Sequence, residues 1–129
     1  MLVAYLTHPY ALKHEMGAHH PECPDRVRVV DDHLRMQGLL DFMREETAAP
    51  APPHTILRAH TRDMVDAIER MAPAEGYHGI DGDTTMNPFT LNAALHSAGA
   101  AVKAVDLVCG GDAPRAFCNI RPPGHHAAR

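Results

Sequence analysis

Short apolar runs of strand length alternate in this chain with stretches patterned at helical spacing, and that alternation leaves few architectures open. Leu2-Val3-Ala4-Tyr5-Leu6 is one such run, leaving for a loop at Thr7-His8-Pro9. Pro24-Asp25 then opens a helix in which Val27, Val30 and Leu34 share a face and which Gly38 ends. A second short helix is expected around 39–46, followed by a connector, Ala48-Ala49-Pro50-Ala51-Pro52-Pro53, whose prolines favour extended backbone. His54-Thr55-Ile56-Leu57-Arg58 reads as a second strand, and 62–71 as a helix that gathers Met64, Val65, Ile68 and Met71 on one side before Pro73 closes it.

Residues 77–86 read as loop, and Asn87-Pro88 is a start signal for the longest helix, 88–109. Leu91, Leu95, Ala98, Val102, Val105 and Cys109 trace one face of that helix, Gly110-Gly111 stop it, and its alanines with Gly99 permit close approach to a sheet. Ala116-Phe117-Cys118-Asn119-Ile120 is a final buried strand. The sum is an α/β fold: a parallel sheet with helices on both faces, a three-layer α/β/α architecture. Parallel sheets need covered faces and paired edges, and three strands leave edges open. Residues 1–129 are therefore expected to be the amino-terminal part of a single, incomplete domain, with homo-oligomerisation through the open edges as a further possibility.

Composition narrows function by exclusion. With 45% hydrophobic residues, 22% charged and a net charge of −4, the chain is ordinary for a folded domain and has no basic stripe to attract nucleic acid. No apolar run reaches the roughly 18 residues of a membrane span, and residues 1–16 lack the succession of a secretory signal, so the expectation is a cytoplasmic protein without a membrane partner. Cys23, Cys109 and Cys118 are odd in number and lack Cys-x-x-Cys spacing, which argues against a disulfide framework or a zinc knuckle.

Chemistry concentrates in Arg121-Pro122-Pro123-Gly124-His125-His126. Two prolines stiffen the backbone ahead of two adjacent imidazoles, and Gly124 is expected to allow angles that a β-carbon would forbid. The pair would sit just past the carboxyl end of a strand, where open α/β sheets build their sites. Imidazole titrates near neutrality and so suits proton transfer. His14-Glu15-x-x-x-His19 does not make a zinc-protease helix, since its histidines are five apart rather than four. His8, His33, His54, His60, His78 and His96 show no ligand spacing.

His20-Pro21-Glu22-x-Pro24-x-Arg26, Asp81-x-Asp83-Thr84, Leu95-x-Ser97-Ala98-Gly99-Ala100-Ala101 and Arg121-Pro122-Pro123-Gly124-His125-His126-Ala127 occur here in that order. Together they resemble the histone deacetylase superfamily, above all its class II and bacterial amidohydrolase members, including acetylpolyamine amidohydrolases. The resemblance implies a partial arginase/deacetylase fold and hydrolysis of an N-acetyl amide on lysine or a polyamine by a zinc-activated water. It assigns His126 as general base and general acid, and His125 as the neighbour that stabilises charge. It offers Asp83 or Asp81 as the loop carboxylate that holds the substrate's backbone.

His20, Pro21, Glu22 and Arg26 form the family's early motif in the loop and helix start lining the site, where a structural job is expected of them. Glu22 would favour a helix dipole, and Arg26 would reach neighbouring carboxylates or carbonyls. The family's Asp-x-His metal segment, second metal aspartate and carbonyl-polarising tyrosine have no match here, so no metal ligands are assigned within the chain. Zinc is expected to belong to a longer parent, and the isolated chain to be inactive. The alternative is a stand-alone, non-catalytic interaction module keeping the first half of the fold.

Overall fold

The computed structural model describes residues 2–125 and 127. Its centre is a parallel three-stranded sheet in the order β2-β1-β5, formed by β1 (Val3–Thr7), β2 (Met43–Thr47) and β5 (Arg115–Cys118). Val3 pairs with Met43 on one side and Arg115 on the other, which puts the carboxyl ends of all three strands at the same edge. Between the strands run α1 (Asp25–Met36), α2 (Pro53–Ile56), α3 (Arg62–Met71) and α4 (Thr90–Cys109), with a small hairpin of β3 (His78–Gly79) and β4 (Thr85–Met86).

Alternation along the strands sorts the two faces. Ala4 and Leu6 of β1 are fully buried with Ala100 and Leu107 of α4, and Ala116 and Cys118 of β5 pack against the same cluster. Tyr5 points the other way, toward α1, where its hydroxyl donates to Asp31 at 3.0 Å. Burial first, and then the Asp31 carboxylate against the opposing hydrogen bond from Asn119, push the Tyr5 hydroxyl up to about 12. Helices on opposite faces of a parallel sheet make the expected three-layer α/β/α arrangement.

Three elements differ from the sequence expectation, the first being residues 77–86, read as loop, which carry the hairpin β3–β4. The short helix placed at 39–46 is a 3-10 turn, Leu40–Phe42, that runs straight into strand β2. Arg44, Glu45 and Glu46 are good helix formers, but backbone pairing with β1 overrides propensity. Their charges then occupy the outer strand of the sheet, where Arg44 and Lys103 pair with Glu46 and Arg35 pairs with Glu45, a common defence of an exposed edge. Conversely, the strand expected at His54-Thr55-Ile56-Leu57-Arg58 is the helical turn α2. Pro53 at its first position presets helical φ, and the Thr55 N–H closes onto the Pro52 carbonyl at 2.9 Å.

Smaller differences follow from local bonds. Helix α4 begins at Thr90 rather than 88, because the Asn87 side-chain oxygen accepts the Phe89 N–H and the Thr90 hydroxyl. Gly99 does permit a close approach, but to the proline-rich connector and not to the sheet: a β-carbon there would sit 1.9 Å from the Ala49 carbonyl oxygen. The adjacent Ala51 N–H donates to the Leu95 carbonyl at 2.9 Å, so the connector is bonded onto the helix. Among the described residues, no helix is long and apolar enough to cross a membrane.

Candidate functional site

Strand β5 delivers the chain to the carboxyl edge of the sheet, and the next three residues are locked in place. Asn119 is buried; its N–H continues the ladder to the Leu6 carbonyl, and its amide donates to the Tyr5 hydroxyl (2.8 Å) and the Val27 carbonyl (2.9 Å). Arg121 is 0% exposed. Its Nε and Nη2 fork onto both oxygens of Glu22 at 2.7–3.1 Å, and its Nη1 donates to the Ala11 and His14 carbonyls. A guanidinium buried with its donors aimed at a carboxylate and carbonyls meets the requirement that a buried charge be paired and hydrogen-bonded. The Arg121 carbonyl in turn accepts from the Ser97 hydroxyl at 2.6 Å, which fastens this segment to α4.

Glu22 therefore serves Arg121, a role beyond the helix-dipole one expected of it from sequence. Arg26 also reaches it (3.1 Å) and donates to the Ile120 carbonyl (2.8 Å), matching the carboxylate-or-carbonyl expectation. Burial would raise the Glu22 carboxyl, but the hydrogen bonds and charges of Arg121 and Arg26 outweigh it and hold the group below its usual range. Pro21, between His20 and Glu22, is exposed.

Sequence reasoning met His14 only within a rejected zinc-protease pattern and gave it no role. It is 1% exposed, and its Nδ1 lies 2.8 Å from the Thr90 hydroxyl. With that hydroxyl donating to Asn87, Nδ1 carries the imidazole proton and Nε2 presents a bare lone pair. Nε2 is buried without a hydrogen-bond partner, 3.9 Å from a Glu22 oxygen. Burial, then the Arg121 charge, lower His14 to about 4, with Glu22 opposing them. The available signal was weak: a lone His in a polar loop does not advertise that it will be enclosed by Arg121, Glu22 and Thr90, which lie far apart in sequence.

The two loop aspartates take different positions. Asp81 accepts the Asp83 N–H at 2.8 Å, and this bond, with others from Thr84, holds its carboxyl below the usual value. Asp83 is itself exposed, with one oxygen 3.0 Å from His20 Nε2. His20 Nδ1 accepts the Glu22 N–H at 3.1 Å. A run of contacts thus joins Asp83, His20, Glu22 and Arg121.

Beyond Arg121 the backbone passes through Pro122, Pro123 and Gly124 to His125, which is exposed; His126 lies outside the described residues. Gly124 departs from expectation. Its φ is not positive, and a β-carbon would meet nothing within 4 Å, so the backbone here does not require glycine. Pro122 and Pro123 border an apolar hollow of about 680 Å³ shared with Ile56, Val65, Leu95 and Ile120. Among the described residues, no three His, Cys, Asp or Glu side chains are grouped to hold a metal ion. The described residues by themselves therefore do not make up a zinc site.

The chain is similar in sequence and in fold to known proteins. The sequence model described as the histone deacetylase domain matches residues 20–129. A protein named probable deacetylase from Archaeoglobus fulgidus is 34% identical over 98% of this chain, which covers 35% of that relative. A histone deacetylase-like amidohydrolase from Pseudomonas aeruginosa is 32% identical over 85% of this chain and 29% of its own length. The crystal structure of the HDA15 HD domain superposes with a TM-score of 0.90 at 28% identity, over 98% of this chain and 37% of that one. The chain thus spans about a third of the length of these proteins. Similarity across nearly all of its residues, in sequence and in fold, means that the chain belongs to the histone deacetylase family.

Proposed function

We propose that this chain forms part of a deacetylase that hydrolyses N-acetyl amides of lysine side chains or polyamines. The observation that carries the reading is the buried Arg121 fork, which fixes the segment bearing His125 at the carboxyl edge of a parallel sheet in a chain of this family. Amide hydrolysis needs a proton removed from an attacking water and one delivered to a poorly leaving amine. A single imidazole, His126, performs both transfers, and His125 beside it stabilises the charge that develops. Asp83 holds the substrate backbone, with Asp81 shaping its turn.

Zinc is the group the family resemblance implies as the source of an activated water. In this reading its ligands lie outside the described residues, and the isolated chain binds no stoichiometric metal and turns over no substrate. Metal analysis of the purified chain, with an acetyl-lysine peptide and an acetylpolyamine assayed in parallel, tests this. One equivalent of zinc together with turnover would refute it. Once a deacetylase carrying this chain is active, His126→Ala should lower kcat by about 100-fold or more.

A non-catalytic interaction module is the second reading, favoured by the outer edge of β5. That strand ends the sheet opposite β2 and leaves Phe117 43% exposed. Pairing of two copies through this edge would appear as concentration-dependent sedimentation.

A further inference from the structure

His20 stands between the loop carboxylate and the buried arginine, and its hydrogen bonds allow only one arrangement of its proton. Nδ1 accepts the Glu22 N–H, so Nε2 carries the hydrogen and donates to Asp83. The ring is mostly enclosed, with 18% of its side chain exposed, whereas Asp83 is 92% exposed on the turn between β3 and β4. An unheld carboxylate in such a place would sample several rotamers. His20 removes that freedom, and its own orientation is fixed through Glu22 by the fork of Arg121. We infer that His20 is a positioning residue that clamps one oxygen of Asp83, leaving the other aimed outward for a backbone N–H of an acyl-lysine peptide. The inference rests on the reading of Asp83 as the substrate-holding carboxylate.

The clamp matters because a ligand that must order a carboxylate on arrival loses affinity. Preorganising one such side chain is worth about threefold to tenfold in binding. It also explains why the early motif pairs a histidine with a glutamate two residues on: the backbone N–H of Glu22 sets the tautomer of the ring, while the Glu22 side chain secures the loop to Arg121.

Two measurements on the full chain test this. Long-range 1H–15N spectra of the imidazoles should show His20 protonated at Nε2; protonation at Nδ1 would overturn the inference. A tripeptide amide centred on Nε-acetyl-lysine is then compared, by titration calorimetry, with its backbone N-methylated analogue. Wild type should prefer the unmethylated peptide about tenfold, the scale of one charge-assisted hydrogen bond. His20→Ala should cut that preference to about threefold or less. His20→Gln should restore it, since the amide keeps a donor toward Asp83 and an acceptor toward the Glu22 N–H. Full preference in His20→Ala, or failure of His20→Gln to restore it, overturns the positioning role while leaving Asp83 as the binding group. No preference in wild type, or an unchanged one in Asp83→Asn, overturns the reading of Asp83 and this inference with it.

Discussion

Acidification should destabilise this protein through His14 before its carboxylates titrate. The ring is enclosed, carries its proton on Nδ1 against Thr90, and has the Arg121 guanidinium as a neighbour. Its pKa falls from 6.5 to about 4 on folding, so between those values the unfolded chain binds more protons than the folded one. The stabilisation is complete above pH 6.5 and is lost as pH falls toward 4. At 1.36 kcal/mol per pH unit, that interval amounts to roughly 3 kcal/mol. For a domain whose total stability is about 5–15 kcal/mol, such a loss is roughly a fifth to three fifths of the total. Urea midpoints at pH 7.5, 6, 5 and 4.5 measure it, with His14→Asn as the control: the amide can still reach Thr90 but does not titrate in this range. Wild type should lose stability steeply from pH 6.5 downward, while the variant should show only the later loss from carboxylates such as Glu22. Parallel curves for the two proteins, or an NMR titration placing His14 at 6.5 or above, would refute the reasoning.

Other perturbations separate the packing and charge terms. Gly99→Ala places a β-carbon 1.9 Å from the Ala49 carbonyl oxygen, so it should destabilise by about 1–3 kcal/mol despite the better helix propensity of alanine; an equal or higher urea midpoint would contradict this. Arg121→Met leaves Glu22 without its main partner and should cost about 3–5 kcal/mol. Arg35→Met, at an exposed pair with Asp31 and Glu45, should leave the urea midpoint close to that of wild type in the same assay. Ser97→Ala removes the hydrogen bond to the Arg121 carbonyl and should lower stability by about 1 kcal/mol, with amide exchange accelerating in residues 119–121.

Legibility in sequence followed the range of the interactions involved. Helices α1 and α3 were visible because their apolar periodicity and stop signals are local, as were β1 and β5 from compact apolar runs. Helix α4 was marked by its start and stop signals, but its buried side carries Ala93, Ser97, Ala100 and Leu107, whereas Val102, Val105 and Cys109 of the expected face are exposed. Strand β2 was not. Met43-Arg44-Glu45-Glu46-Thr47 carries helix-favouring side chains, and only pairing with β1, some forty residues earlier, makes it extended. The turn α2 failed in the opposite sense: Thr55 and Ile56 look strand-like, yet no strand lies beside them and Pro53 starts a helical turn.

The candidate site divides in the same way. Residue types and their order already singled out the segment 121–126, the early His20-to-Arg26 motif and the loop aspartates, because a motif is a one-dimensional object. Sequence alone also determined the alternation of strand and helix that requires a layered α/β architecture. Partnership was decided only by the tertiary structure. Glu22 and Arg121 are separated by 99 positions and His14 and Thr90 by 76, and nothing in their neighbours' chemistry announces either contact. Whether a charge is enclosed, which oxygen answers it and what pKa results depend on the three-dimensional surroundings. Burial turns an ordinary arginine into the fixed point of this site and an ordinary histidine into its acid-sensitive member.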